Sequence, residues 1–137
     1  MAAAILITLE REIPELAAYT KSGTGKSLAR ETDKLDSTAR RKNVQQITSL
    51  LSESQAALIA QLKEDGFDPS KMRLPPERWF PASDGVATVK AVAEYVTANL
   101  NDFKQPNPIL RDLKAAEALL TAAATAGVRF HFTKGTL

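Results

Sequence analysis

Hydrophobic and polar positions along this chain follow two periods, one at each end and another between. Residues 3–9 form an apolar run, Ile5, Leu6, Ile7 and Leu9 interrupted only by Thr8, which predicts a buried strand. At the other end residues 128–132 alternate, with Val128, Phe130 and Phe132 on one side and Arg129 and His131 on the other, the pattern of a half-buried strand. Between them the period is helical. Leu28, Thr32, Leu35 and Ala39 form a thin stripe that predicts a helix over 27–41 lying on the surface of the core. Ser52, Glu53, Ser54 and Gln55 read as a capping box opening a helix over 53–65, with Gly66 as its stop. Val89, Val92, Val96 and Leu100 line one face of a helix over 84–100 capped by Ser83 or Asp84. Ile109, Leu113, Ala116, Leu120 and Ala123 line one over 107–126 that Gly127 ends.

The remaining segments connect these elements. Pro14 suits the first turn of a short helix over 14–20. Residues 44–51 fit a helix or a strand. Residues 67–82 hold Pro69, Pro75, Pro76 and Pro81 and predict an extended connection, pinned to the core by Trp79 and Phe80. Strands at opposite termini invite pairing. The expected fold is therefore α+β: a helix-dominated single domain spanning 1–137, with four or five helices and a small sheet formed by the N- and C-terminal strands. A chain of 137 residues buries roughly 65–70% of its unfolded surface, enough to stand without staples.

Charge and composition remove several function classes. Lys and Arg total 18 against 16 Asp and Glu, interspersed, so the net charge of +2 lacks the one-sided basic face of most nucleic-acid binders. The absence of cysteine removes disulfides, thiol catalysis and thiolate metal sites, and is compatible with the cytoplasm. No Lys or Arg precedes the first apolar run, which argues against a secretory signal. That run is also far shorter than the ~20 apolar residues a membrane span needs, so no membrane role is expected.

Candidate chemistry is sparse. Gly23-Thr24-Gly25-Lys26-Ser27 looks like part of a phosphate loop, but the first glycine of a P-loop would fall on Thr20. A flexible turn feeding a helix is the simpler reading, with Gly25, Lys26 and Ser27 left as a candidate anion-binding helix start. His131 is the only histidine. Its own strand offers Arg129 and Thr133, so a chemical role requires a carboxylate delivered from elsewhere in the fold. Arg40, Arg41 and Lys42, with Lys26, Arg30 and Lys34, place a basic stripe on the helix over 27–41. Glu31, Asp33 and Asp36 interrupt it, and no aromatic residue is interleaved. Trp79 beside Arg78 is either a core anchor or, if exposed, a hot spot for a protein partner.

The second half resembles small bacterial proteins of unknown function. The resemblance runs over residues 79–132 and rests on Trp79-Phe80-Pro81, Gly85-Val86-Ala87-Thr88-Val89, Asp112-Leu113 with Glu117 and Leu120, and Gly127-Val128-Arg129-Phe130-His131-Phe132. It implies no activity and brings no binding residues.

By subtraction, the expected function is non-enzymatic: a cytoplasmic bacterial protein that binds a protein partner, as an adaptor or immunity protein does. Arg78, Trp79, Arg129 and His131 are the candidate contact residues, and no cofactor or metal is expected. The alternatives are a small-ligand site or enzyme built from a carboxylate, Arg129 and His131 around a pocket, and a nucleic-acid binder acting through Lys26–Lys42. A pocket holding His131 beside a carboxylate would favour the first alternative, and an exposed apolar patch containing Trp79 would favour a partner.

Overall fold

The computed structural model describes residues 3–14, 25–52, 55–73 and 77–136. The short helix expected after Pro14, most of the glycine turn, and Glu53 and Ser54 of the capping pattern lie outside them. Two strands and five α-helices are found among the described residues: β1 (Ala3–Leu9), α1 (Lys26–Arg30), α2 (Thr32–Arg41), α3 (Gln55–Glu64), α4 (Ala82–Ala98), α5 (Pro106–Ala126) and β2 (Phe130–Thr136). The fold is α+β, and its sheet joins the two ends of the chain. β1 and β2 pair antiparallel, with Leu9 opposite Phe130, Thr8 opposite His131 and Ile7 opposite Phe132.

The apolar stripes read from the sequence meet in one core. Ile5 and Ile7 of β1, Phe130 and Phe132 of β2, Val89, Val92 and Val96 of α4, and Ile109, Leu113, Ala116, Leu120 and Ala123 of α5 are all buried in a continuous cluster. The long helices α4 and α5 pack on each other. At Gly85 they and the sheet come so close that an added Cβ would stand 2.6 Å from the Phe130 ring and 2.8 Å from Leu120.

Several boundaries differ from expectation, each for a local reason. The single helix expected over 27–41 is two. Glu31 leaves helical geometry (φ −109°, ψ 22°), and the Thr32 hydroxyl donates to the Leu28 and Ala29 carbonyls at the break. The thin stripe faces the core, with Leu28, Leu35 and Ala39 fully buried while Asp33, Lys34, Arg40 and Arg41 stay exposed. α2 ends where Asn43 takes a left-handed conformation (φ 57°), which asparagine tolerates better than most residues. Helix α4 starts at Ala82 behind the extended Pro81, so neither Ser83 nor Asp84 caps it; both lie in its first turn, where Asp84 accepts from Gln45 Nε2 at 3.2 Å. Its far end stops at Ala98, and Leu100, expected on the buried stripe, is 45% exposed in a 3₁₀ turn.

Residues 44–51 form neither a full helix nor a full strand. They make a 3₁₀ turn over Thr48–Leu50 that buries Leu50, held by the Asp36 carboxylate accepting from the Thr48 hydroxyl at 2.7 Å. Leu51 then bridges to Phe132 in parallel, and Phe80 bridges to Phe130 in antiparallel fashion. The Phe80 N–H donates to the Phe130 carbonyl at 2.8 Å, the Phe130 N–H returns the bond at 2.9 Å, and the Ser52 N–H reaches the Phe132 carbonyl at 2.9 Å. With β1 along its other edge, β2 is covered on both sides. No helix among the described residues is long and apolar enough to cross a membrane.

Candidate functional site

The carboxylate that His131 lacked in its own strand arrives from the connection before α4. His131 is fully buried, and its Nε2 lies 2.7 Å from Glu77 Oε2. An ionised Glu77 only accepts, so Nε2 carries the hydrogen and donates. Nδ1 lies 3.1 Å from the Thr133 hydroxyl and 3.1 Å from the Phe132 carbonyl. In the neutral ring it accepts from Thr133. The Thr133 hydroxyl is also 2.8 Å from that of Thr8, which stands opposite His131 on β1. Trp79 lies on the imidazole with ring centroids 4.8 Å apart. A chain of hydrogen bonds thus runs from Glu77 through a buried imidazole to two half-buried threonines. Its acid–imidazole–hydroxyl order is that of a nucleophile relay, but the ring at its centre has 0% exposure. Saturated by neighbours and shut from solvent, it fastens the 77–80 segment across β2.

The other candidate contact residues surround this pin differently. Trp79 is half-buried against His131. Arg78 is exposed and lies along the neighbouring bridge: its backbone N–H donates to Ser52 Oγ at 2.8 Å, its guanidinium to the Leu51 carbonyl at 3.4 Å, and it stands over the Phe80 ring. Arg129 is exposed and paired with Glu10, whose Oε2 accepts from Nε at 2.9 Å and also from Nη2. Arg129 and His131 therefore engage two different carboxylates.

The Arg129 hydrogen bond, aided by its charge, holds the Glu10 carboxyl below its ordinary value of 4.5 despite some opposing desolvation. A depressed folded-state value stabilises the fold above the unfolded carboxyl range, and that increment disappears as pH falls through the folded value. Glu10→Gln should therefore lower chemical-denaturation stability by a constant amount at neutral pH. The gap to wild type should narrow as the pH drops below 4.5, and shrink with added salt because the pair is exposed. A gap that widens on acidification would contradict the pairing.

The candidate anion site at the start of α1 has a carboxylate of its own. Gly25 is left-handed and buried, and the Ser27 N–H donates to Asp112 Oδ2 of α5 at 3.2 Å. Asp112 is 3% exposed and Ser27 is 5% exposed, so this anion is inside the protein. A helix N-terminus favours negative charge, and here a neighbouring helix supplies it. Lys26 is exposed.

The basic stripe gains what the sequence lacked. Aromatic side chains from other elements come to it: Lys34 stands over the Phe103 ring at 5.1 Å, Arg41 over Tyr95 at 6.0 Å, and the two rings meet edge to face. Lys34 Nζ donates to the Asp102 carbonyl, and Arg41 Nη1 donates to the Tyr95 hydroxyl at 2.9 Å. Two hollows open along this face. One of about 280 Å³ is lined by Lys34, Ser37, Thr38, Arg41, Tyr95, Asp102 and Phe103. One of about 460 Å³ is lined by Arg30, Glu31, Lys34, Lys104 and Gln105. They share Lys34.

Two of the three exposed large apolar side chains among the described residues, all but Leu100, are elsewhere again. Phe67 (56%) and Met72 (43%) flank the 3₁₀ turn Pro69–Lys71 that follows α3. Asp68 braces the turn, its Oδ1 accepting from the Ser70 N–H at 3.1 Å and hydroxyl at 2.7 Å. Sequence reasoning missed Phe67, Met72, Glu77, Tyr95 and Phe103 as site residues, and named Thr133 only as a neighbour of His131. Only Phe67, an aromatic in a Gly/Pro-flanked turn, had a local signal.

Every buried side-chain nitrogen and oxygen among the described residues has a hydrogen-bond partner. Among the same residues no three His, Asp or Glu side chains cluster as metal ligands would. The chain matches no protein-family model, no curated protein and no solved structure.

Proposed function

We propose that this chain is a bacterial, cytoplasmic protein that works by binding another protein, in the manner of an adaptor or an immunity protein, and that catalysis is not its task. The observation carrying this reading is the turn after α3. A braced turn holds Phe67 at 56% exposure at one end and Met72 at 43% at the other. An aromatic ring held outward on an ordered turn loses little conformational freedom on binding, the property that makes such residues hot spots. The closed surroundings of His131 support the same reading from the other side, since a general base needs to reach a substrate. On this reading the proposed contact surface is at Phe67 and Met72, since Trp79 is half-buried against His131.

The test is affinity capture of the tagged protein from its own cell lysate, wild type against Phe67→Asp. A partner retained by wild type and lost at least tenfold with Phe67→Asp, roughly the 1.4 kcal/mol or more expected of a hot spot, is the supporting result. Equal recovery by both proteins would overturn the assignment of the surface. Recovery of nothing above background, with a metabolite raising the melting temperature, would overturn the partner reading itself.

A further inference from the structure

We infer that the paired hollows along α1 and α2 form a binding site for the oligophosphate group of a small ligand. The charge balance points there first. The two hollows are lined by Arg30, Lys34, Arg41 and Lys104 against Glu31 and Asp102. Among the described residues Lys34, Arg41 and Lys104 have no carboxylate within ion-pairing distance; Arg30 has only Glu31 at 3.9 Å. Concave, cationic ground with uncompensated charge concentrates anions.

The cations are also held in place. Lys34 is fixed by the Asp102 carbonyl and the Phe103 ring, and Arg41 by the Tyr95 hydroxyl and ring. Each bond takes one donor and leaves the others free: an ammonium has three and a guanidinium five. Heads already ordered lose less entropy when a ligand arrives. Guanidinium and ammonium donors together suit phosphate oxygens.

Spacing selects the kind of anion. Lys34 and Arg41 are seven residues apart on one helix, about 10 Å at 1.5 Å per residue, and Lys34 is shared by both hollows. A single phosphate reaches one hollow, whereas a chain of phosphates reaches across Lys34 into both. The aromatic rings argue against a nucleic-acid strand. Strand binding uses open ring faces for base stacking, but Phe103 is buried and faced by Lys34, and Tyr95 carries Arg41. Glu31 and Asp102 further limit the ground open to a continuous phosphate backbone.

The experiment is isothermal titration of the full chain at low salt with tripolyphosphate, ATP, orthophosphate, citrate and a twelve-nucleotide single strand. Saturable one-to-one binding of tripolyphosphate, at least tenfold tighter than orthophosphate or citrate, is expected. ATP binding as tightly or more tightly would assign the phosphates to a nucleotide, and weaker ATP binding would assign them to a free chain. Lys34→Gln and Lys104→Gln should each weaken tripolyphosphate about tenfold, the loss of one charge-assisted hydrogen bond. Lys63→Gln on α3 should leave it unchanged. Both groove positions are exposed, and unchanged melting temperatures would show that the variants fold. The inference is overturned by the absence of saturable tripolyphosphate binding, by citrate matching it, by affinity undiminished in both groove variants, or by the strand binding tighter than every small anion.

Discussion

Gly25→Ala should destabilise the protein by about 3–6 kcal/mol. Three losses combine. Gly25 stands at φ +75°, where a residue with a Cβ is strained by about 1–3 kcal/mol. An added Cβ would lie 2.0 Å from the carbonyl oxygen of Ile5, a distance no side-chain rotation relieves because that oxygen is backbone and the Cβ position is fixed by the backbone that carries it. The chain must therefore shift, and the bond from the Ile5 N–H to the Gly25 carbonyl (3.0 Å) goes with it, a further ~1 kcal/mol. That bond and the Ser27–Asp112 contact join the start of α1 to β1 and α5. Against a total of roughly 5–15 kcal/mol for a domain, the change is severe. A scanning melt should show a fall on the order of 10–20 °C. A melting temperature within about 2 °C of wild type would mean that Gly25 does not lie under Ile5.

His131→Ala is the second large effect, about 2–4 kcal/mol, and it separates a fastening role from a chemical one. The ring is fully buried beneath Trp79, so its removal leaves a cavity that the strand cannot close. It also removes the partner of Glu77 Oε2 and one of the two partners of the Thr133 hydroxyl, which keeps Thr8. The two are only partly buried and water can reach them, so the penalty stays below that of a fully enclosed pair. Glu77→Gln keeps an oxygen able to accept from Nε2, and should cost less than about 1.5 kcal/mol. If the imidazole is a fastener, both variants bind the partner as wild type does once corrected for the fraction folded. Loss of function in a stably folded Glu77→Gln protein would reopen the relay.

Together these variants bear on how the molecule divides its surface. The sheet with its covered histidine builds the scaffold. The turn carrying Phe67 and Met72 and the cationic groove lie outside it on separate elements, so the proposed partner and the inferred anionic ligand would have separate ground. Phe67→Asp and Lys34→Gln should accordingly be independent, each weakening its own binding about tenfold or more and sparing the other.

Periodicity made much of this architecture readable in advance. The stripe Ile109, Leu113, Ala116, Leu120 and Ala123 repeats on one helical face, and every member is buried. Gly127 ends that helix in the left-handed conformation (φ 69°) that the sequence implied. The two terminal apolar runs pair, as their strand-like patterns suggested. Such features depend on spacing and backbone preference within one segment, and a linear chain records both. The break at Glu31, the start of α4 behind Pro81 and the exposure of Leu100 were harder to read, because each turns on one residue's dihedral angles or one hydroxyl choosing a carbonyl.

The candidate sites were decided by the tertiary structure alone. His131 looked half-exposed because its strand alternates. It is buried because Glu77 and Trp79, more than fifty positions earlier, are carried over it by the bridges at Leu51 and Phe80. The basic stripe has no aromatic residue of its own; Tyr95 and Phe103 join it from α4 and from the turn beyond. Asp112 gave no sign that it would meet the Ser27 N–H, 85 residues away. Local sequence determines which face of an element is apolar and where it stops. Which charged or aromatic group arrives on the opposite face depends on how separate elements pack, and no spacing within one element encodes that.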